Sequence, residues 1–470
     1  IDAGGLIVAP GFIDNHSHSD GPLLTDGNAQ SKIRQGVTTD VIGEGGSMGP
    51  FKGLLPPRTV TFGQDQKQAQ IVSLGDYFTT LERGGTSINV VSYVGLDNIW
   101  SSVMGEGQEF KRPSADDIQK MKTLVAEAMK DGAYGLATSL MFWPITQDFT
   151  DNLVELCSVV HQYGGIYSTH NHDEGAGVFN AIKQAFEIGE RARVPIDVIH
   201  LKIADQATWG QMDAIVAMFN DARRRGLNFQ ANVYPYTRGN NRLGSIIPPW
   251  AHEGGFEKMI ARLQDPSLRM RLKKDIQNGL PDWYNHYIAV GRDWSRMLIN
   301  ANNKYNGMTM DKVLAQRSAG KTPSPDLLDV FLDLVGEYGG FGIVYAHHSE
   351  PDMNLAMIQP WCSIGSDGSA LAIEGPLARG NPHPRNFGTF PRVLGVYVRE
   401  KGLLRMEDAV RKMTSLTASK MGIHDRGLLK SGLFADITIF DPEKVIDRAT
   451  YLEPFQYPVG IEYVVVNGQV

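Results

Sequence analysis

Short apolar runs alternate with amphipathic stretches along most of the chain. The runs at residues 11–18, 37–43, 88–95, 134–140, 166–170, 196–200, 228–234 and 361–367 have the length and the β-branched content of strands. Between several of them apolar positions recur at helical spacing, over residues 114–130, 151–163, 178–191 and 211–225. Ser114-Ala115-Asp116-Asp117 is a good N-cap with acid in the first turn, and Asp131-Gly132, Gly164-Gly165 and Gly226 are stop signals. Eight strand–helix units predict an α/β fold, a (β/α)8 TIM barrel. Residues from about 240 to 359 break the rhythm between the seventh and eighth strands. They are rich in Arg, Lys and aromatic residues, have helical pieces of their own, and predict an inserted lid or subdomain. Beyond the barrel, residues 427–440 and 461–468 read as antiparallel strands, and the apolar start at 5–9 would pair with them in a small β-sandwich. The predicted division is therefore 1–10 sandwich, 11–425 barrel and 426–470 sandwich.

Composition narrows the function classes. Of 470 residues, 42% are hydrophobic and 21% charged, ordinary for a globular chain. A formal net charge of -7 argues against nucleic acid or anionic lipid as the main partner. No apolar run approaches the roughly 20 residues of a membrane helix. Only Cys157 and Cys362 occur, which excludes a disulfide framework or a cysteine-rich zinc site. The expected compartment is the cytoplasm, or the periplasm or exterior if a leading segment is removed.

The candidate chemistry lies at the strand ends. His16 and His18 stand two apart, on one face of a strand end. His170 and His200 end the fifth and sixth strands, and Asp367 ends the eighth. One His-x-His is an ordinary polar loop as often as a site. Four histidines and an aspartate at one barrel mouth form a plausible cage for one or two divalent ions. Lys202 would share the face of His200, and Tyr234 ends the seventh strand.

These residues resemble the amidohydrolase superfamily and, within it, the D-aminoacylases. The resemblance rests on residues 9–18, on Gly36-Val37-Thr38-Thr39, on Gly165-Ile166-Tyr167-Ser168-Thr169-His170 and on His200-Leu201-Lys202. It continues through Val233-Tyr234-Pro235-Tyr236-Thr237, Gly365-Ser366-Asp367-Gly368 and His383-Pro384-Arg385-Asn386 to Arg392. It implies that His170 and His200 hold the tighter metal, with His16, His18 and Asp367 facing the weaker position. It also implies that Lys202 and Tyr234 contact the carboxylate of the substrate, with Asn240 and Arg385 as further candidates. Asn240 stands where the family often has serine, and His172 where it commonly has arginine.

One departure concerns the metals. The family usually has a cysteine after the second strand, whereas this chain reads Gly43-Glu44-Gly45-Gly46, with Gly45 at that place. Glu44 is the expected substitute, because a carboxylate bridges two ions. The harder ligand would admit manganese or iron beside zinc. The fourth strand has no lysine, which weighs against the cyclic-amide (dihydroorotase or hydantoinase) branch as the alternative. A metal-free, non-enzymatic relative is a further alternative. The implied reaction is hydrolysis of an N-acyl-D-amino acid, a related N-acyl compound or a small peptide by a metal-activated hydroxide, with Asp367 as general base and acid.

Overall fold

A computed structural model describes every residue of the chain except Phe142, Ile145 and Gly340. The barrel strands are β1 (Phe12–Asp14), β2 (Val37–Ile42), β3 (Asn89–Ser92, continued by Val94–Gly95), β4 (Gly135–Ser139), β5 (Ile166–His170), β6 (Ile196–Val198), β7 (Phe229–Val233) and β8 (Cys362–Ile364). Each pairs in parallel with the next. β3 joins both sheet segments, pairing with β2 through its first part and with β4 through its second. A parallel bridge between Ser17 and Gly368 brings the last strand back to the first. His18 donates its backbone N–H to Gly368 O at 2.8 Å, and Asp367 donates to His16 O at 2.8 Å. This closes the TIM-type barrel that the alternating pattern predicts.

β2 is buried at all six positions, as expected for a strand covered on both faces. The start signal read at Ser114 is present, and a second outer helix, not singled out from the sequence, begins in the same way. Ser114 and Asp117 form a reciprocal capping box at the N-terminus of Ala115–Lys130, and Ser73 and Asp76 do the same for Leu74–Gly84. Inside the barrel, Ile13, Val41, Val91, Tyr93, Ala137 and Ile166 form an apolar plug. Ala418 and Met421, from the helix Ser415–Met421 beyond β8, complete it.

The insert has its own core and sheet. Strands Gly239–Arg242, Gly342–Tyr345 and Met297–Asn300 pair antiparallel around fully buried residues such as Leu243, Phe331 and Tyr345. The helix Glu350–Met357 does not belong to it. It buries Met353, Ala356 and Met357 in the barrel core, so the inserted part ends before this helix rather than at residue 359. A hairpin, Arg58–Phe62 with Lys67–Ile71, also lies between β2 and β3. Its strands are short and mostly polar, with Val60 and Phe62 on one and Ala69 and Ile71 on the other at alternate positions, and it was not singled out from the sequence. At the chain ends, Ile7–Pro10 pairs antiparallel with Ile437–Phe440, which pairs with Ile461–Val465. Among the described residues, no helix is long and apolar enough to cross a membrane.

Candidate metal centre

The polar residues at the strand ends meet at the C-terminal mouth of the barrel. His16 and His18 follow β1, Glu44 follows β2, His170 ends β5, His200 follows β6 and Asp367 follows β8. Their side chains offer two groups of ligand atoms, each within 4.8 Å of one another: His16, His18, Glu44 and Asp367, and Glu44, His170 and His200. Glu44 belongs to both groups. Its Oε2 contacts His16 Nε2 directly and lies 3.3 Å from His18 Nε2. Asp367 Oδ1 is 3.1 Å from His18 Nε2, and Asp367 Oδ2 is 3.9 Å from His200 Nε2. Ring centroids are 5.0 Å apart for His16 and His200 and 4.6 Å for His170 and His200.

A second layer orients these rings. His170 Nδ1 donates to Asn171 O at 2.8 Å, which fixes the ring with Nε2 turned to the centre. His200 Nδ1 lies 3.0 Å from Glu174 Oε1, a contact that helps to orient the ring. Lys202 Nζ contacts Glu174 and sits 2.7 Å from His200 Nδ1. Burial, followed by the Lys202 ammonium, pushes the His200 imidazole down to about 4, so it is neutral at physiological pH. Burial works against the charge on Glu44, but His16 and His18 outweigh it and hold the carboxyl well below its usual range. Burial likewise opposes the charge on Asp367. Arg385 first, then His16, His18 and His200, hold its carboxyl well below the usual value.

His200 and Asp367 both adopt positive φ, 39° and 50°. Such a conformation costs a non-glycine residue on the order of 1–3 kcal/mol and persists where surroundings enforce it. Here His200 N donates to Asn232 Oδ1 at 2.9 Å, and Asp367 N donates to His16 O. Gly45 has φ +65°, and a Cβ there would stand 2.8 Å from the Cβ of Ser139. A side chain at that position has no room, while Glu44 beside it reaches the centre.

The candidate substrate residues divide. Arg385 Nη1 is 2.8 Å from Asp367 Oδ2, an ion pair without hydrogen-bond alignment, so Nη1 and Nε of this buried guanidinium remain free to donate. The guanidinium also stacks over Tyr234, 5.1 Å from its ring centre. Arg385, Asn240, His18 and Asp367 line one cavity of about 420 Å³, together with Asn300, which donates to Asn240 Oδ1 at 2.9 Å, and His383. Lys202 and Tyr234 lie outside that cavity and line a void of about 10 Å³ with His200 and His348. His347 and His348 are buried and stacked, 4.6 Å between centroids, and neither joins a ligand group. His172 is buried with Nδ1 3.0 Å from Gln184 Oε1. Glu174 was not singled out from the sequence. The available signal was an acid four residues after a strand-end histidine. A larger hollow of about 920 Å³, at the other end of the barrel around Tyr134 and Arg426, contains none of these groups.

The donor set suits a divalent ion. It combines imidazoles and carboxylates that converge within 4.8 Å, are mostly buried, and have outer partners fixing two of the rings. A closed parallel barrel with such a cluster at its C-terminal mouth is the architecture of a metal-dependent hydrolase. The chain belongs to the amidohydrolase family, whose profile matches residues 1–470. It is thus a hydrolase of carbon–nitrogen amide bonds. Among its relatives, a D-aminoacylase of Alcaligenes xylosoxydans xylosoxydans is 32% identical over 472 residues, covering 100% of this chain and 84% of the relative. The N-acyl-D-glutamate deacylase of Bordetella bronchiseptica, solved with zinc and a phosphonate mimic of the tetrahedral intermediate, matches with a TM-score of 0.78 and 28% identity, over 100% of this chain and 86% of that one. A D-aminoacylase structure, solved to define the role of its binuclear metal centre with one-metal activation and second-metal attenuation, matches with a TM-score of 0.76 and 30% identity, over 100% and 86%.

Proposed function

We propose that His16, His18, Glu44, His170, His200 and Asp367 hold one or two divalent ions, zinc first among them. In this reading the chain hydrolyses the amide bond of N-acyl-D-amino acids or closely related N-acyl compounds. The observation that carries it is the place of Glu44 in both ligand groups, where its carboxylate would help to hold an ion in either position. When bound, such an ion supplies Lewis-acid chemistry, polarising an amide carbonyl and making water acidic enough to ionise near neutral pH.

The residues of the chain do the rest. Asp367, kept ionised by Arg385, accepts the proton of the attacking water and returns it to the departing amine nitrogen. Arg385 has unfilled donors and takes the carboxylate of the substrate. Asn240 adds a neutral amide to the lining of the same cavity. Tyr234 backs the guanidinium with its ring. Lys202 is held by Glu174 and reaches the substrate only if it exchanges that partner. A cavity of about 420 Å³ suits a small molecule. The zinc and the deacylase activities of the relatives support this reading.

The test is a panel of N-acyl-D- and N-acyl-L-amino acids assayed with zinc, with manganese and with no added metal. Metal-dependent release of the D-amino acids is expected. Turnover unaffected by chelation, or confined to the L series, overturns the reading.

A further inference from the structure

The barrel interior beneath the metal centre contains two lysines whose side chains are completely buried. Burying an ammonium is costly unless it is paired and hydrogen-bonded. Each of these has a full set of partners: four of those around Lys32 lie one or two residues from the proposed ligands, and those around Lys420 connect to His200 and His16 through Asn232 and Asn15.

Lys32 enters from the short helix Gln30–Ile33 that precedes β2. Its Nζ donates to Asp14 Oδ2 at 2.6 Å, Ser17 Oγ at 3.0 Å, Ser366 Oγ at 3.0 Å and Gly368 O at 3.5 Å. Asp40 Oδ1 is a further ion-pair partner at 3.3 Å, without hydrogen-bond alignment. Asp14 Oδ1 in turn accepts from Ser366 N at 2.8 Å. One ammonium therefore binds both sides of the seam where β8 returns to β1. Ser17 lies between His16 and His18, while Ser366 and Gly368 flank Asp367.

Lys420 enters from below, on the helix Ser415–Met421 that closes the barrel floor. Its Nζ donates to Asp197 Oδ1 at 2.7 Å, Ser363 Oγ at 2.7 Å and Ala231 O at 3.1 Å. Asp197 Oδ2 accepts from Asn232 at 3.0 Å and from Asn15 at 3.3 Å. Asn232 Oδ1 accepts the backbone N–H of His200 at 2.9 Å, where φ is 39°. The chain of contacts Lys420–Asp197–Asn232 thus ends on the strained backbone of His200. Asn15 precedes His16.

We propose that Lys32 and Lys420, neither of which reaches a ligand atom, are positioning residues for the metal centre. Lys32 fixes the distance between the His16–His18 pair and Asp367 across the barrel seam. Lys420 fixes His200 against β7 and β8. A wholly apolar interior would fill the same space without setting these spacings. The inference rests on the metal-binding reading above.

The experiment is equilibrium zinc titration of metal-stripped wild type, Lys32→Met and Lys420→Met against a competing chelator, with circular dichroism to establish folding. Loss of an outer-layer partner lowers metal affinity by about 10–100-fold, and that is the expected weakening in each variant. A merely structural lysine would lower the melting temperature and leave the zinc affinity of the folded protein unchanged, which overturns the inference. Lys→Met leaves buried carboxylates unpaired and can prevent folding. Ser366→Ala and Ser363→Ala each remove one arm and keep both ion pairs, and weakened zinc binding in both is expected. Wild-type affinity in these serine variants overturns the proposal. Wild-type protein that takes up no zinc overturns the proposed function and this inference with it. Normal wild-type uptake with unaltered variants overturns this inference alone.

Discussion

Glu44 carries its charge next to His16 and His18 and belongs to both groups of candidate ligand atoms. Glu44→Gln keeps the shape and removes the charge, so bound metal is expected to fall below the wild-type content, as elemental analysis would measure. Asp367 has a second task, so Asp367→Asn is expected to retain most of the metal while turnover drops by about 10²–10⁴-fold. Near-normal turnover would remove Asp367 from proton transfer. A pH effect comes from Asp40, which is fully buried. Burial, offset by Lys32, pushes its carboxyl up to about 6. The folded state therefore holds a proton that the unfolded chain releases between about pH 4 and 6. The stability from that proton is fully present below pH 4 and is lost as pH rises through 6. In urea titrations, the midpoint of Asp40→Asn should gain on wild type from pH 4 to pH 6.5, and a constant difference would contradict this. At this scale the sequence was informative where the strand-end rule applied. His16, His18, His170, His200 and Asp367 were readable because a strand end in a barrel points at the mouth. Glu174, Lys32 and Lys420 were not, because in a sequence a charged residue in a loop or helix looks solvated whether or not it is buried.

At the scale of elements, the insert has a hydrophobic core separate from that of the barrel. Phe331 is completely buried in that core, on the helix Leu327–Tyr338. Phe331→Ala costs about 3–5 kcal/mol in comparable sites. The expected result in calorimetry is a new, earlier transition for the insert, with the metal content of the barrel retained. A single shifted transition would mean that the two cores melt together. Asn240 and Asn300 lie on the paired strands of the insert and line the cavity, so the same variant should raise KM more than it lowers kcat. The capped outer helices were legible from Ser114 and Asp117, whose side chains encode the helix start locally. The hairpin Arg58–Phe62 with Lys67–Ile71 was not, because its alternation is brief: Val60 and Phe62 on one strand, Ala69 and Ile71 on the other, are two apolar positions in each five-residue strand. The limits of the insert were blurred for a related reason. Helix Glu350–Met357 has the same apolar spacing whether it packs on the insert or on the barrel.

At the scale of the whole molecule, the cyclic order of the strands brings residues hundreds of positions apart into one cluster. The bridge between Ser17 and Gly368 closes that order, and the lysine contacts beneath it stiffen the seam. Alternation of strands and helices foretold the barrel, but it did not foretell how the interior is filled. The apolar plug around Tyr93 and Met421 and the charged clusters around Lys32 and Lys420 come from contacts no local pattern contains. The central claim is that this mouth would hold a divalent ion with Glu44 among its ligands. Anomalous X-ray diffraction from crystals grown with zinc tests it most directly. The expected result is a peak within about 2.0–2.2 Å of the Glu44 carboxylate, with His170 and His200 or His16 and His18 beside it. Ordered side chains with no anomalous peak among them, or a peak elsewhere on the protein, would contradict the account.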